Sequence, residues 1–164
     1  MGYNLEQFAS ECRSALEDGA DASSLEAVRE RVSHACHDVT FVETHLGINN
    51  KAPRKLLYED EKLGFCIFAH VYTGAANDGK PHDHGPSWAV YGQAVGTTKM
   101  TDWQIEASDE TKVQATRTYQ LQPGDAYTYA IGDIHSPSRT GPTRLIRVEG
   151  MNMDGVERRW FEHV

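Results

Sequence analysis

The sequence predicts a mainly β fold, a barrel preceded by two N-terminal α-helices. Two observations carry this prediction. Apolar residues recur at helical spacing within residues 3–40, and from about residue 54 short strand-like runs alternate with Gly, Pro, Asn and Asp. A chain of 164 residues suffices for one domain with a sizeable core, and its length gives no case for a second. We therefore expect a single domain over 1–164, with the barrel over about 54–164.

Two helices are expected within residues 3–40. The first is indicated by apolar residues at helical spacing from Leu5 to Leu16, and Asp18-Gly19 is a suitable end for it. Asp21 then supplies a capping residue for a second helix. We expect both to pack on the barrel, the second through a stripe formed by Leu25, Val28, Val32, Ala35 and Cys36.

The remainder of the chain is typical of short β-strands. Turn-forming sequences separate the runs, among them Asn77-Asp78-Gly79 and Pro123-Gly124-Asp125. Many short strands with turns between them indicate a sandwich or barrel. The predicted strands are 55–59, 65–73, 87–98, 100–107, 112–121, 126–130, 144–151 and 156–162.

Composition excludes several classes of function. The formal charge of −8 disfavours nucleic acid as a partner, because binding phosphates requires clustered Lys and Arg. The N-terminus lacks the apolar core of a secretory signal, and no run approaches the about 18 apolar residues of a membrane span. Three scattered cysteines favour a reducing compartment over a disulfide scaffold. We therefore expect a cytoplasmic protein that binds neither nucleic acid nor a membrane.

Three of the eight histidines are candidate metal ligands. His82 and His84 are separated by one residue, so both imidazoles project to the same face of an extended segment and can reach a single ion. Such a pair needs a third ligand, and the strongest candidate is His135, in the sequence Ile-Gly-Asp-Ile-His-Ser-Pro. Taken alone, a His-x-His pair is weak evidence; the spacing of the glycines around it strengthens the interpretation.

The combined spacing resembles the two motifs of the cupin superfamily over roughly residues 60–150. The first motif has two histidines spaced by one, a Glu and then a Gly; the second has Gly, Pro-x-Gly, His and often Asn. The residues that match are His82, His84, Gly96, Gly124, Gly132 and His135. Ala89 takes the place of the Glu, Ala130 that of the Pro and Arg139 that of the Asn. The resemblance implies a double-stranded β-helix, or cupin, barrel that holds one divalent metal ion.

Three histidines without a carboxylate resemble the branch of cysteine and 3-mercaptopropionate dioxygenases. This resemblance implies a mononuclear non-haem iron dioxygenase that acts on a small metal-chelating substrate and O2. It favours Fe(II), although imidazole also suits Zn, Ni and Cu, and Mn is a further alternative. The chain departs from the branch at Ala89, where animal cysteine dioxygenases carry the cysteine of a Cys–Tyr crosslink. Leu145, Arg147 and Glu149 take the positions of the branch's Ser-His-Tyr relay.

Five further residues are candidates for catalysis or substrate binding. Arg147 and Glu149 share a strand face, where they could anchor a substrate carboxylate and move a proton, or could form a buried pair that satisfies itself. Tyr91 and Gln93 follow Ala89 on the inward parity, and Tyr91 is a candidate hydrogen-bond donor to dioxygen. Arg54 lies where the branch keeps a carboxylate-binding arginine; the alternative is a solvent-facing cation.

Two other functions remain open at this point. One is a non-oxidative lyase or isomerase with the metal as Lewis acid and Glu149 or Tyr91 as proton shuttle. The other is a metal- or ligand-binding module without turnover. Because cupins frequently pair their edge strands, the resemblance also implies a possible homodimer.

Overall fold

A computed structural model describes residues 2–75 and 79–164. Three helices come first: α1 (Leu5–Leu16), α2 (Ala22–His37) and α3 (Val39–Leu46). The strands within the described ranges are β1 (Lys55–Glu59), β2 (Cys66–Tyr72), β3 (Ala89–Val95), β4 (Thr98–Ile105), β5 (Lys112–Leu121), β6 (Ala126–Tyr129), β7 (Ile134–Ser138), β8 (Thr143–Glu149) and β9 (Glu162–His163). The predicted mainly β fold with N-terminal helices is confirmed. The predicted turn at Asn77 and Asp78 lies outside the described residues.

Side-chain caps fix the starts of the helices. Asn4 accepts from the Gln7 amide at 2.8 Å and forms a capping box with it, and Asp21 caps α2 through the Ser24 amide. The sequence did not predict α3. Asp38 ends α2 and also accepts from the Phe41 amide, so a single residue separates the two helices. A break of one residue contains no turn sequence from which a new helix could be predicted.

Two sheets form the barrel. Among the described residues, the larger sheet has the strand order β1-β2-β8-β3-β6 and the smaller one β7-β4-β5-β9. One face of the larger sheet packs on the helices, where Val90, Ile146 and Val148 join Phe8 and Val28 in a continuous apolar cluster. α2 lies close to β3 because Gly92 has no side chain; a Cβ there would collide with Val32 and Cys36.

The opposite face of the larger sheet points at the smaller sheet. Ala89 and Tyr91 from β3 meet Met100 from β4 and Leu121 from β5 in a second apolar cluster. Period-two alternation therefore assigns odd-numbered residues of β3 to the barrel interior. The odd-numbered residues of β3 pair with Leu145, Arg147 and Glu149 of β8. These three residues of β8 therefore face the barrel interior as well.

One strand was not predicted, and one predicted strand is mostly wrong. Residues 134–138 form a strand that was not predicted; β7 is an edge strand of the smaller sheet, a position that tolerates Pro137. Conversely, in the predicted strand 156–162 only Glu162 belongs to a strand, since β9 is Glu162–His163. The Asp83 carboxylate accepts a hydrogen bond from the Arg159 amide at 2.9 Å, so this amide does not donate to a neighbouring strand. No helix within the described ranges is long and apolar enough to span a membrane.

Candidate metal centre

The backbone holds His82 directly opposite His135. His82 lies before β3 and His135 within β7, and their amides and carbonyls exchange two hydrogen bonds of 3.1 and 3.0 Å. His84 follows two residues after His82. As a result, the ring of His135 lies 5.0 Å, between centroids, from the rings of both other histidines. The three predicted ligands thus come from two segments that the barrel pairs.

The three imidazoles present one nitrogen each to a common point. These nitrogens all lie within 4.8 Å of one another, and the Nε2 atoms of His84 and His135 are 3.1 Å apart. Two nitrogens bound to one ion at about 2.0–2.1 Å lie about 3.0–3.4 Å apart, so the separation of the His84 and His135 nitrogens fits a shared metal. All three residues are buried, with exposures of 9, 2 and 0% for His82, His84 and His135. The arrangement can therefore hold one metal ion.

Burial keeps these rings neutral, as metal ligands must be. Burial lowers the pKa of His82 to about 4 and that of His84 to about 2, and it lowers the pKa of His135 well below its usual value. His82 Nδ1 lies 2.8 Å from the Lys80 carbonyl, so it carries the proton and leaves Nε2 free. The Nδ1 atoms of His84 and His135 have no hydrogen-bond partner in the described part of the chain.

Tyr91 adds a hydroxyl to the same point. Its oxygen lies 2.9 Å from His84 Nε2 and 3.3 Å from His135 Nε2. Burial raises the pKa of Tyr91 to about 12, so the phenol stays protonated at neutral pH and can donate a hydrogen bond. Tyr91 therefore lies beside the three histidines, and its role as a hydrogen-bond donor to dioxygen stays a prediction.

Comparison with solved structures identifies the fold. An uncharacterised conserved protein with a double-stranded β-helix domain from Klebsiella pneumoniae matches at a TM-score of 0.50 and 15% identity, over 74% of this chain and 88% of that one. A cupin-2 domain protein from Shewanella frigidimarina matches at 0.46 and 15%, over 66% and 89%. KdgF from Halomonas matches at 0.45 and 15%, over 65% and 88%. The chain shares the double-stranded β-helix fold of the Klebsiella protein. Its sequence matches no protein-family model and no curated protein.

The cupin motif that the sequence resembles has a Glu at the position of Ala89, and here a carboxylate lies on the neighbouring strand instead. Glu149 of β8 pairs directly with Ala89. The Glu149 side chain is buried, and its Oε2 has no hydrogen-bond partner among residues 2–75 and 79–164. It is not one of the groups whose ligand atoms converge on the histidine site.

Arg147 lies between the metal site and β2. Its guanidinium carbon is 4.2 Å from the centre of the Tyr91 ring, and one terminal nitrogen donates to the Tyr72 hydroxyl at 3.1 Å. Burial alone would lower the pKa of Arg147, but Tyr72, Tyr91 and Glu149 outweigh it and raise that pKa. No ion pair joins Arg147 to Glu149 among those of the described chain. The pair therefore does not satisfy itself.

Part of this interior was not predicted from the sequence. His70 and Tyr72 of β2 alternate with Phe68, which pairs with Arg147, so they share the inward face. Arg139 takes the place of the Asn of the second cupin motif. It is 3% exposed, and its guanidinium carbon lies 4.1 Å from the centre of the Tyr72 ring. The alternation of His70 and Tyr72 was a readable signal. The burial of Arg139 was not, because it depends on the loop after β7.

The two predicted substrate-binding residues have other contacts. Arg54 stacks on Phe68 at 3.9 Å and pairs with Asp154 at 2.9 Å. The Gln93 amide donates to the Val95 carbonyl and accepts from the Thr98 hydroxyl at 3.0 Å. The polar groups of Gln93 are therefore engaged in the connection between β3 and β4. For both residues a role in substrate binding stays a prediction.

Asp83 ties the C-terminal segment to the histidine pair. It is 1% exposed and pairs with Arg159 at 2.7 Å. The next residue, Trp160, forms a backbone bridge to His82 and lies 4.8 Å from its ring, between centroids. The segment therefore covers one side of the centre.

A cavity of about 540 Å³ lies beside the centre but does not include it. Its lining includes Asp102, Trp103, Arg117 and Tyr129, and none of the three histidines. The Tyr129 ring, 4.1 Å from that of His135 between centroids, separates the two. The cavity therefore lies outside the histidine centre.

Proposed function

We propose that this chain is a metal-dependent cupin enzyme, a mononuclear non-haem iron dioxygenase of the thiol dioxygenase kind that acts on a small metal-chelating substrate. The observation that carries the proposal is the convergence of three neutral, buried imidazoles with no carboxylate at the same point. Bound Fe(II) would supply the chemistry for activating dioxygen and a chelating substrate.

The surrounding residues support this chemistry in distinct ways. Tyr91 presents a protonated hydroxyl 2.9 Å from a ligand nitrogen, where it can donate a hydrogen bond to a reacting oxygen. Arg147 provides a fixed positive charge over the face of the Tyr91 ring. Trp160 and the buried rings limit access of water, which strengthens these interactions.

Oxygen consumption tests the proposal directly. The protein is loaded with Fe(II) under anaerobic conditions, and oxygen uptake is then followed with a panel of thiols, β-diketones and hydroxy acids. We expect uptake with one class, lost in His84→Ala and in protein loaded with Zn(II). Full iron occupancy without turnover on any member of the panel would refute it.

A second candidate is a non-oxidative lyase or isomerase. The observation that favours it is the buried, unpartnered oxygen of Glu149, which shares the interior face with Tyr91 and could accept a proton from substrate. Turnover with Zn(II) or Ni(II) under strictly anaerobic conditions, abolished by Glu149→Gln, would select this function over the first.

A further inference from the structure

The Tyr91 hydroxyl forms a triangle with two of the histidine nitrogens. Its oxygen lies 2.9 Å from His84 Nε2 and 3.3 Å from His135 Nε2, and those two nitrogens are 3.1 Å apart. Donor atoms that bind one ion at about 2.0–2.2 Å lie about 2.8–3.6 Å from one another, from octahedral to tetrahedral angles. All three sides of the triangle fall within that range, so the phenol oxygen lies where a ligand of the same ion would lie.

Metal binding removes the hydrogen-bond partners of this hydroxyl. In residues 2–75 and 79–164, its hydrogen-bond contacts are the two histidine nitrogens. An imidazole nitrogen that binds an ion has neither a free lone pair nor a hydrogen to donate. Tyr91 is 1% exposed, and a buried hydroxyl without a partner is costly. The loaded centre therefore has to supply a new partner at the same point, either the ion itself or a molecule bound to it.

The histidine set leaves the charge of an ion uncompensated. Imidazoles bind metals in their neutral form, and within the described ranges no carboxylate converges with the three histidines. A bound cation favours the deprotonated form of a group that coordinates it, and this effect grows with the charge of the ion. The phenol oxygen of Tyr91 is the group at this point that can become an anionic oxygen ligand.

Arg147 provides a favourable field for an anionic oxygen on Tyr91. Its guanidinium carbon lies 4.2 Å from the centre of the Tyr91 ring. No ion pair found in the described part of the chain includes Arg147, so no carboxylate already neutralises its charge. A phenolate on Tyr91 would serve as a counter-ion for Arg147, and the guanidinium would stabilise the phenolate in return.

We propose that Tyr91 is a fourth protein ligand of the iron in its trivalent state, bound as a phenolate, and that it closes the centre when substrate is absent. The inference rests on the proposed function, because it describes a regulation of the same centre. With Fe(II), which carries less charge, the phenol keeps its proton and remains a hydrogen-bond donor. The tyrosine thus has a different role in each oxidation state.

The exchange between the two states balances in electrons and protons. Without substrate, dioxygen takes one electron from Fe(II); the phenol oxygen of Tyr91 then bonds to the Fe(III), and the hydroxyl proton passes to solvent. A one-electron reductant such as ascorbate restores Fe(II), the bond from Tyr91 breaks, and the oxygen takes up a proton again. The phenolate occupies a position that substrate or dioxygen needs, so the oxidised centre is inactive until it is reduced.

Visible absorption tests this assignment without any need for turnover. The protein is loaded with Fe(II) under anaerobic conditions, oxidised with ferricyanide, freed of excess oxidant and analysed for iron. We expect a phenolate-to-Fe(III) charge-transfer band that ascorbate bleaches. Resonance Raman excitation within the band should enhance the ring and C–O vibrations of a coordinated phenolate. Full ferric occupancy without these features, or loss of the iron on oxidation, would overturn the proposal.

Tyr91→Phe and Tyr129→Phe form a matched pair. The Tyr129 ring also contacts a ligand, 4.1 Å from that of His135 between centroids, but its hydroxyl lies 2.6 Å from that of Tyr119. Tyr91→Phe should lose the band, whereas Tyr129→Phe should keep it. A band retained in Tyr91→Phe would belong to another group and contradict the assignment. Should Tyr91→Phe fail to fold, the Raman spectrum of the wild type still decides whether a phenolate is bound.

The reduction potential separates a ligand from a residue that only packs at the site. Tyr91→Phe should weaken Fe(III) binding by at least about tenfold and leave Fe(II) binding close to wild type. A tenfold change in the relative affinity for the two oxidation states raises the one-electron potential by about 59 mV. Redox titration of both proteins measures this rise, and an equal potential in the two would refute the role as a ligand.

These readouts are independent of oxygen uptake. A ferric protein with the band but without turnover on any substrate would count against the dioxygenase and leave the Tyr91 ligand in place. Turnover by a protein whose ferric form lacks the band would retain the proposed function and remove this inference.

Discussion

Glu149 of β8 lies directly opposite Ala89 of β3. Ala89 occupies the position at which the cupin motif has a Glu. Residues opposite one another in an antiparallel pair have Cβ atoms about 4.5–5.5 Å apart. The methyl group of Ala89 leaves room for the longer side chain across from it. We infer that the barrel accommodates one carboxylate at this level, and that this chain supplies it from the neighbouring strand.

A double-mutant cycle tests this exchange. Ala89→Glu places a second buried carboxylate opposite Glu149, and like charges directly opposite one another are destabilising. We expect it to lower the free energy of unfolding more in the wild type than in a Glu149→Ala background, with a coupling of about 0.5–3 kcal/mol. Urea denaturation of the four proteins measures the cycle. Additive effects would mean that the two positions do not share one carboxylate space.

We expect metal content to depend on the histidine triad. His82→Ala, His84→Ala and His135→Ala should each lose the bound divalent ion, because each removes one of the three converging nitrogens. Elemental analysis of the purified proteins gives the content, and the fall in thermal midpoint on chelation, which follows mass action, should vanish in the same variants. The control is His163→Ala, an exposed histidine stacked on Trp103. It should keep wild-type metal content, and a triad variant that does so would contradict the assignment.

The convergence of His82, His84 and His135 was predictable from the sequence, whereas the burial of Arg139 was not. The i, i+2 spacing of His82 and His84 fixes a shared face for any extended segment, and the motif spacing selected His135. Strands 55–59 and 112–121 were also predicted with the bounds that β1 and β5 have. The unpartnered nitrogens of Arg139 depend on which strands become neighbours and on how the loop after β7 folds back. Local periodicity carries no information on either.

Removing the Tyr91 hydroxyl should impair turnover and leave metal binding intact. Tyr91→Phe keeps the ring that packs against Tyr129 and Arg147 but removes the donor 2.9 Å from His84. Loss of one such hydrogen bond in the reacting state lowers kcat by about 10- to 100-fold. Steady-state kinetics and metal analysis on the same preparation measure both effects.

A matched tyrosine variant gives an independent check on Tyr91. Tyr127→Phe is the control, because Tyr127 pairs with Tyr91 in the sheet but stacks on Tyr119. Equal loss of activity in both variants would contradict a specific role for the Tyr91 hydroxyl.

Asp83 should stabilise the protein in a pH-dependent manner. Burial alone would raise its pKa, but hydrogen bonds from the Arg159 and Gly85 amides and from the Arg159 guanidinium outweigh burial and lower it. A carboxylate with a depressed folded-state pKa stabilises the native state fully above its unfolded pKa of about 3.9. That contribution is lost as pH falls through the folded pKa.

Asp83→Asn should therefore lower the free energy of unfolding at neutral pH by about 1–3 kcal/mol, because it weakens charge-assisted hydrogen bonds to a buried acceptor. The difference from wild type should shrink below about pH 4, where the unfolded carboxylate takes up a proton while the native one, with its lower pKa, does not. Urea denaturation across pH 3–7 measures this directly. Asp154→Asn is the control: its exposed pair with Arg54 should contribute no more than about 1 kcal/mol.

Because Arg159 precedes Trp160, which pairs with His82, the Asp83 variant should also bind metal more weakly. Unchanged affinity would show that the C-terminal segment does not support the ligands.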